Sequence, residues 1–131
     1  MIVVDTSAII AITLDEPDAD NLLTAVSTAN DVFIAAPTAL ELEIVLRSKT
    51  GPNGPSALRV LQSLAVETVP FTLDHLAAAI GAHSKFGRGR HPAQLNFGDC
   101  IAYALAKSLN APLLFKGDDF AKTDIQSALD I

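Results

Sequence analysis

Short apolar runs alternate along the chain with longer segments in which apolar residues recur every three or four positions. A short β-branched run bounded by turn signals is typical of a buried strand of a parallel sheet, whereas the wider spacing predicts a helix. The runs predict four strands, at residues 2–4, 32–35, 66–69 and 113–115. The spacing predicts six helices: from 8 to before Pro17, 18 to about 29, 39–48, a segment carrying Leu58, Leu61 and Leu64, 72 or 74 to about 84, and 97–109.

The segments that connect these elements contain residues typical of turns. Thr50 to Pro55 contains two glycines and two prolines and cannot continue a helix. Lys85 to Gln94 is rich in glycine and basic residues, which predicts a mobile loop. Asn110 fits a left-handed helix cap with Pro112 beyond it. Strands alternating with helices predict an α/β fold with a mostly parallel sheet covered on both faces, in a single domain over 1–131.

Composition narrows the function classes. Of 131 residues, half are hydrophobic and 18% charged, which excludes disorder, and no apolar run approaches the ~20 residues that span a bilayer. A net charge of −6 argues against gripping nucleic acid by bulk positive charge, and the absence of Trp argues against a stacking platform for single strands. The lone cysteine and the lack of a signal-like start predict a cytoplasmic protein.

Acidic residues follow several of the predicted strands. Asp5 ends the first strand, Glu41 lies in the first turns of the helix after the second, and Asp118 and Asp119 follow the fourth. Asp99 is near the start of the helix that leads into the fourth strand, and that start lies at the same edge. Ligands of open α/β sheets bind beyond the carboxyl ends of the strands. We therefore expect these acids to converge on one rim.

Carboxylates that lie within a few ångströms repel one another, so at least one takes up a proton unless cations are bound. Mg²⁺ and Mn²⁺ are hard cations that prefer oxygen ligands. A metal between protein acids and a phosphate indicates phosphoryl chemistry, because the ion can lower the pKa of water and neutralise developing charge. The sequence holds no competing His or Cys constellation and no glycine-rich phosphate motif.

Each acid also has a structural interpretation. Asp5 could cap the helix that follows it. Thr38 and Glu41 have the spacing of a capping box. Asp99 could be the third residue of a helix capped by Asn96, although its position on an apolar stripe favours a functional role.

The remaining polar candidates are also open to two interpretations. Asp118 and Asp119 could form an ordinary turn after Gly117, or either could face the cluster. Ser7 could share in capping or hydrogen-bond a ligand. The basic residues near the rim could be solvated or could contact phosphate; they are Lys85, Arg88, Arg90, His91 and Lys116.

Four segments, in order, resemble those of PIN-domain proteins, and the length resembles that of VapC toxins, the ribonuclease half of a type II toxin–antitoxin pair. The segments are Met1-Ile-Val-Val-Asp-Thr-Ser-Ala8, Ala36-Pro-Thr-Ala-Leu-Glu41, Asn96-Phe-Gly-Asp-Cys-Ile-Ala-Tyr-Ala-Leu105 and Leu113-Leu-Phe-Lys-Gly-Asp-Asp-Phe-Ala-Lys-Thr-Asp124. The resemblance covers nearly the whole chain.

The resemblance implies a three-layer α/β/α fold, RNA cleavage dependent on Mg²⁺ or Mn²⁺, inhibition by a VapB-type antitoxin, and a homodimer. It places the family's acids on Asp5, Glu41 and Asp99, with a fourth at Asp118 or Asp119. An apolar surface between Leu22 and Leu64 is a candidate site for contact with the antitoxin.

The main hypothesis is a metal-dependent endoribonuclease whose metal ligands are Asp5, Asp99 and Glu41. In it, a metal-activated water attacks the phosphorus and leaves 5′-phosphate and 3′-hydroxyl ends. One alternative is a phospho-acceptor receiver-like switch, in which Lys116 would follow the last strand. The third strand, however, ends in Val69-Pro70 rather than in an acceptor Asp. Another alternative is an inactive PIN-like interaction module.

Overall fold

A computed structural model describes residues 1–130 and shows a parallel sheet at the centre of the fold. Its four strands are β1 (Ile2–Val4), β2 (Val32–Ala35), β3 (Glu67–Val69) and β4 (Leu113–Leu114). The sheet has the order β3-β2-β1-β4, and every neighbouring pair is parallel. Apart from the edge strand β3, the strands are largely buried, as their apolar and β-branched side chains predict.

Helices connect the strands and cover the sheet. They are α1 (Thr6–Thr13), α2 (Ala19–Thr28), α3 (Ala36–Thr50), α4 (Ala57–Ser63), α5 (Leu73–Phe86) and α6 (Phe97–Ser108). Two 3₁₀ turns follow, at Phe120–Lys122 and Ala128–Asp130. None of the helices within residues 1–130 is long and apolar enough to cross a membrane.

Two hydrophobic cores lie on opposite faces of the sheet. On one face, apolar residues of α1 to α4, such as Ile9, Leu42 and Leu61, pack on the strands. On the other face the packing comes from α5 and α6, including Phe86 and Leu105. The arrangement confirms the predicted three-layer α/β/α fold with a parallel central sheet.

The strand register brings the carboxyl ends of the inner strands to one edge. Val4 of β1 pairs with Leu114 of β4, and the Asp5 backbone N–H donates to the Leu114 carbonyl at 2.9 Å. On the other side of β1, Val3 pairs with Phe33 of β2. The residues that follow β1, β2 and β4 therefore share this edge.

Most predicted element bounds differ from the observed ones by one to three residues. The third helix begins at Ala36 rather than at residue 39, because Pro37 fits the first helical positions, where its missing N–H breaks no hydrogen bond. Asn110 has the expected left-handed conformation, with φ of 51°. In α4, Leu61 is buried, whereas Leu58 is 72% exposed and does not join the core.

The loop predicted from Lys85 begins at Gly87, two residues later, because Phe86 is buried and completes α5. Backbone hydrogen bonds then join Phe86 and Arg88 to Leu95, which closes the intervening segment. Leu22, at one end of the apolar surface suggested for antitoxin contact, is fully buried, whereas Leu40, Ile44 and Leu58, which lie between Leu22 and Leu64 in the chain, are exposed. Contact of the antitoxin with this surface stays a prediction.

Candidate active site

Asp5 lies at the edge where β1 passes into α1 and is 5% exposed. Its Oδ2 accepts hydrogen bonds from the backbone N–H of Ser7 at 3.1 Å and from the Ser7 hydroxyl at 2.6 Å. Asp5 therefore caps α1, as one interpretation of the sequence predicted. In the described residues its Oδ1 accepts no hydrogen bond, so capping occupies one oxygen and leaves the other for a ligand.

Glu41 lies between the Asp5 and Asp99 segments. Its Oε1 accepts a 2.6 Å hydrogen bond from the hydroxyl of Thr6, the residue next to Asp5. Its Oε2 lies against the backbone of Gly98, the residue next to Asp99, so closely that a methyl group there would overlap it. The capping box suggested for Glu41 is wrong, since α3 begins at Ala36 and its cap, Ala35, makes no side-chain bond.

Asp99 lies in the first turn of α6. Its Oδ2 accepts from the Asn96 backbone N–H at 3.1 Å, while Asn96 Oδ1 accepts from the Asp99 N–H at 2.9 Å. This reciprocal pair is the capping box that the spacing predicted. As with Asp5, the cap uses one carboxylate oxygen and fixes the side chain at the start of a helix.

The three acids interact electrostatically. Burial raises the pKa of Asp5 to about 6; the charges of Asp99 and Glu41 add to the rise, and the Ser7 hydrogen bonds oppose it. Burial also raises the pKa of Asp99, with further contributions from Asp119 and Glu41. Like charges in a poorly solvated site disfavour full ionisation. The site therefore favours a bound proton or a bound cation.

The two acids after β4 differ in their relation to this cluster. Asp119 lies close enough to Asp99 for its charge to raise the pKa of that carboxyl, whereas Asp118 contributes to neither Asp5 nor Asp99. Both side chains are exposed, and the left-handed Gly117, with φ of 103°, turns the chain ahead of them.

The three basic side chains predicted to contact phosphate have different surroundings. Arg88 lies near enough to Asp99 to lower its pKa, so one cationic group borders the cluster. Arg90 is exposed in the same connection. The Lys116 ammonium lies 2.6 Å from Glu16 Oε1 and 3.3 Å from Asp18 Oδ1.

Ser7 joins two parts of the site. Its hydroxyl donates to Asp5 and accepts a 3.0 Å hydrogen bond from the backbone N–H of Lys116, which follows β4. A hydroxyl has one hydrogen to donate, so the accepted bond directs that hydrogen toward Asp5. Ser7 is thus tied to an acid and to a backbone amide, in addition to its place in α1.

The donor set suits a hard divalent cation. Asp5, Glu41 and Asp99 offer carboxylate oxygens, and the burial of Asp5 beside two like charges favours neutralisation by a cation. As placed within residues 1–130, no three acidic, His or Cys side chains are close enough to hold one ion together. The carboxylates would therefore have to turn toward a shared ion.

Gly98 is a site residue that the sequence analysis missed. Any larger side chain at this position would displace the Glu41 carboxylate. The signal in the sequence was a glycine in the first turn of a helix, where it lowers helix propensity. Its reason, the close approach of α3, depends on tertiary structure.

Comparison with known proteins agrees with this fold. A profile of the PIN domain family matches residues 2–126. The chain therefore belongs to the PIN domain family.

Three relatives place the chain among the VapC ribonucleases of this family. Ribonuclease VapC28 of Mycobacterium tuberculosis is 45% identical over 130 residues, covering 98% of each chain. Ribonuclease VapC30 of the same species is 42% identical over 124 residues, covering 94% of this chain and 95% of the relative. Ribonuclease VapC of Mycolicibacterium smegmatis is 44% identical over 124 residues, covering 94% and 96%.

Two solved structures share the fold. A toxin–antitoxin complex from Klebsiella pneumoniae has a TM-score of 0.71 at 17% identity, over 95% of this chain and 93% of that one. VapC20 of Mycobacterium tuberculosis, described as a toxin that cleaves the sarcin-ricin loop, has a TM-score of 0.71 at 16% identity, covering 95% and 96%.

Replacing Asp5 by Asn is expected to stabilise the metal-free protein at neutral pH. The pKa of Asp5 rises from 3.8 to about 6 on folding, so the folded state binds more protons and loses stability as pH rises through this range. The stability of Asp5→Asn relative to wild type should grow by about 2 kcal/mol between pH 4.5 and 7.5. Urea unfolding in EDTA measures this.

The control for losing one negative charge is Asp20→Asn, at an exposed position in the first turn of α2. It should show no comparable gain. A relative stability of Asp5→Asn that is independent of pH would contradict the raised pKa of Asp5.

Replacing Gly98 by Ala is expected to lower RNA cleavage without lowering stability. The new methyl group meets the end of the flexible Glu41 side chain, which can move away while the fold is kept. A displaced carboxylate should reduce the cleavage rate by about tenfold or more. Gly81→Ala, in α5 with open space around the added methyl group, is the matched control and should keep full activity. Unchanged cleavage by Gly98→Ala would contradict the importance of this contact.

Proposed function

We propose that this chain is an endoribonuclease that depends on a divalent metal and serves as the toxin of a type II toxin–antitoxin pair. The observation that carries the proposal is the position of Glu41, which contacts Thr6 beside Asp5 and Gly98 beside Asp99. Three acids from distant parts of the chain thus lie at the carboxyl edge of one parallel sheet, and their charges act on one another. Membership of the VapC ribonucleases supports RNA as the substrate.

Asp5, Asp99 and Glu41 are the proposed holders of Mg²⁺ or Mn²⁺. Some carboxylate oxygens of these side chains take no part in helix caps or hydrogen bonds. We assign those oxygens to the ion. When bound, such an ion neutralises charge on a phosphate and lowers the pKa of water. The hydroxyls of Thr6 and Ser7 both donate to carboxylates, which favours water rather than a side chain as the nucleophile. The expected products carry 5′-phosphate and 3′-hydroxyl ends.

Asp119 is the proposed fourth acid. Its charge acts on Asp99, whereas that of Asp118 does not. Asp118 is the neighbouring alternative, exposed in the same turn.

RNA phosphates are proposed to contact Arg88 and Arg90, because Arg88 borders Asp99 and Arg90 is exposed two residues later. Ser7 was also a candidate for substrate contact, and we assign it the orientation of Asp5. Lys116 was a third candidate, but its ammonium pairs with two carboxylates. Positive charge at one border of an acidic site would offset the repulsion of an approaching phosphate backbone.

A VapB-type antitoxin and a second copy of the chain are the proposed protein partners. Beside Glu41 lies an exposed apolar surface, which we call the Phe97 face; it consists of Leu40, Ile44, Leu76, Ile80 and Phe97. Phe97 itself is 79% exposed. A large exposed apolar surface indicates a binding site for a partner. The structural similarity to a toxin–antitoxin complex supports this proposal, and we place the activity in the cytoplasm, where RNA is available.

Membership of the PIN domain family excludes the receiver-like alternative. The inactive interaction module is the alternative that an activity measurement must test. A module kept for binding alone would bind a partner and leave RNA intact.

The decisive experiment incubates total cellular RNA with the purified protein in Mn²⁺ or in EDTA and maps the new 5′ ends. Wild type should produce discrete new 5′-phosphate ends in Mn²⁺ and none in EDTA. Asp5→Asn should fold, and its cleavage rate should be at least about a hundredfold lower than that of wild type, since the substitution removes a proposed metal ligand. Asp119→Asn should lower the rate more than Asp118→Asn does.

The matched control is Asp20→Asn, which removes an exposed acid in the first turn of α2 and should cleave as wild type does. Cleavage that persists in EDTA, or full activity of folded Asp5→Asn, would overturn the metal-dependent mechanism. Failure to cleave any RNA, together with tight binding to a partner, would favour the inactive module.

A further inference from the structure

Lys116 is bonded at both ends of α1. Its backbone N–H donates to Ser7 Oγ in the first turn of the helix, and its ammonium pairs with Glu16, two residues beyond the C-cap. The same ammonium lies 3.3 Å from Asp18 Oδ1, an oxygen that is shielded from solvent and accepts no hydrogen bond in the described residues. Lys116 therefore supplies the nearby positive charge that balances this carboxylate.

The segment that contains Lys116 is a short exposed loop between two core residues. Residues 116–119 are all exposed, and Gly117 has a left-handed conformation. Phe115 and Phe120, on either side of the loop, are buried, and their ring centroids lie 5.2 Å apart. The hydrophobic core thus holds both ends of the loop, and the ion pairs of Lys116 hold the exposed residues between them.

The position of this loop determines the surroundings of Asp5. The Lys116 N–H is bonded to the Ser7 hydroxyl, and that hydroxyl donates to Asp5 Oδ2 at 2.6 Å. If the loop moves, the hydroxyl loses the partner that directs its hydrogen toward Asp5. Asp119, three residues further on, would move with the loop.

We propose that Lys116 is a positioning residue whose ammonium, held by Glu16 and Asp18, fixes the loop after β4 so that its backbone N–H orients Ser7 on Asp5. This inference rests on the proposed function, since it assigns Lys116 a role in the same acidic site. It replaces a direct contact between Lys116 and RNA. An exposed ion pair adds little to global stability, so the effect is expected in local order and in catalysis.

The test is a mutant cycle that joins Lys116→Met with the pair Glu16→Gln and Asp18→Asn. Lys116→Met alone, and the double variant Glu16→Gln, Asp18→Asn alone, should each lower kcat about tenfold, because a small misplacement of catalytic groups slows the reaction. The KM of each should stay within about twofold of the wild-type value. The triple variant should be no slower than either side alone, because all of the changes break one contact. Lys116→Arg, which keeps the charge, should retain most of the activity.

A second measurement needs neither metal nor RNA. Amide hydrogen exchange of the metal-free protein should become at least about tenfold faster in residues 6–8 and 115–119 of Lys116→Met, since the loop opens more often. Exchange in α5 should not change. Lys49→Met, at an exposed lysine in the last turn of α3, is the matched control and should leave exchange and kcat as in wild type.

The outcomes separate the competing roles. Were Lys116 to contact RNA directly, Lys116→Met would raise KM, and the Glu16→Gln, Asp18→Asn pair would leave KM unchanged or lower it; that result would overturn the proposal. Wild-type kcat and exchange in Lys116→Met would also overturn it. If wild type cleaves no RNA, the proposed function fails, while the exchange measurement still decides whether Lys116 orders the loop.

Discussion

The repulsion between carboxylates in a poorly solvated site is the constraint on which the rest of this structure depends. Asp5 is buried at the end of β1, with the charges of Glu41 and Asp99 close enough to raise its pKa further. Such a cluster costs stability, and the surrounding chain reduces that cost in specific ways. The Ser7 bonds stabilise the Asp5 carboxylate, the Thr6 hydroxyl binds Glu41, and Arg88 lies near Asp99.

The parallel sheet and its helices make this convergence possible. Each acid lies at the start of a helix or within its first two turns, and the sheet brings these helix starts to one edge. The caps of Asp5 and Asp99 occupy one oxygen of each carboxylate. Structural and functional interpretations of these two acids are therefore compatible, because capping holds the side chain in place while another oxygen is available for a ligand.

The sequence predicted the parts of the structure that depend on local spacing or on topology. The Asn96 cap of Asp99 follows from a three-residue spacing, and the shared edge follows from alternating strands and helices. It could not predict contacts between residues far apart in the chain. Thr6 and Glu41 are separated by 35 positions, and Lys116 and Glu16 by 100. The need for glycine at position 98 likewise depends on the contact between α3 and α6, two helices that are distant in the sequence.

The central claim is that Asp5, Glu41 and Asp99 share a divalent cation. Crystals of the wild-type protein grown with Mn²⁺, measured at the manganese absorption edge, test it most directly. The account predicts an anomalous peak within bonding distance of carboxylate oxygens of all three side chains, which turn from their present positions to reach it. A Mn²⁺ peak elsewhere on the molecule, or no peak at this edge of the sheet in crystals of a protein that cleaves RNA with Mn²⁺, would contradict it.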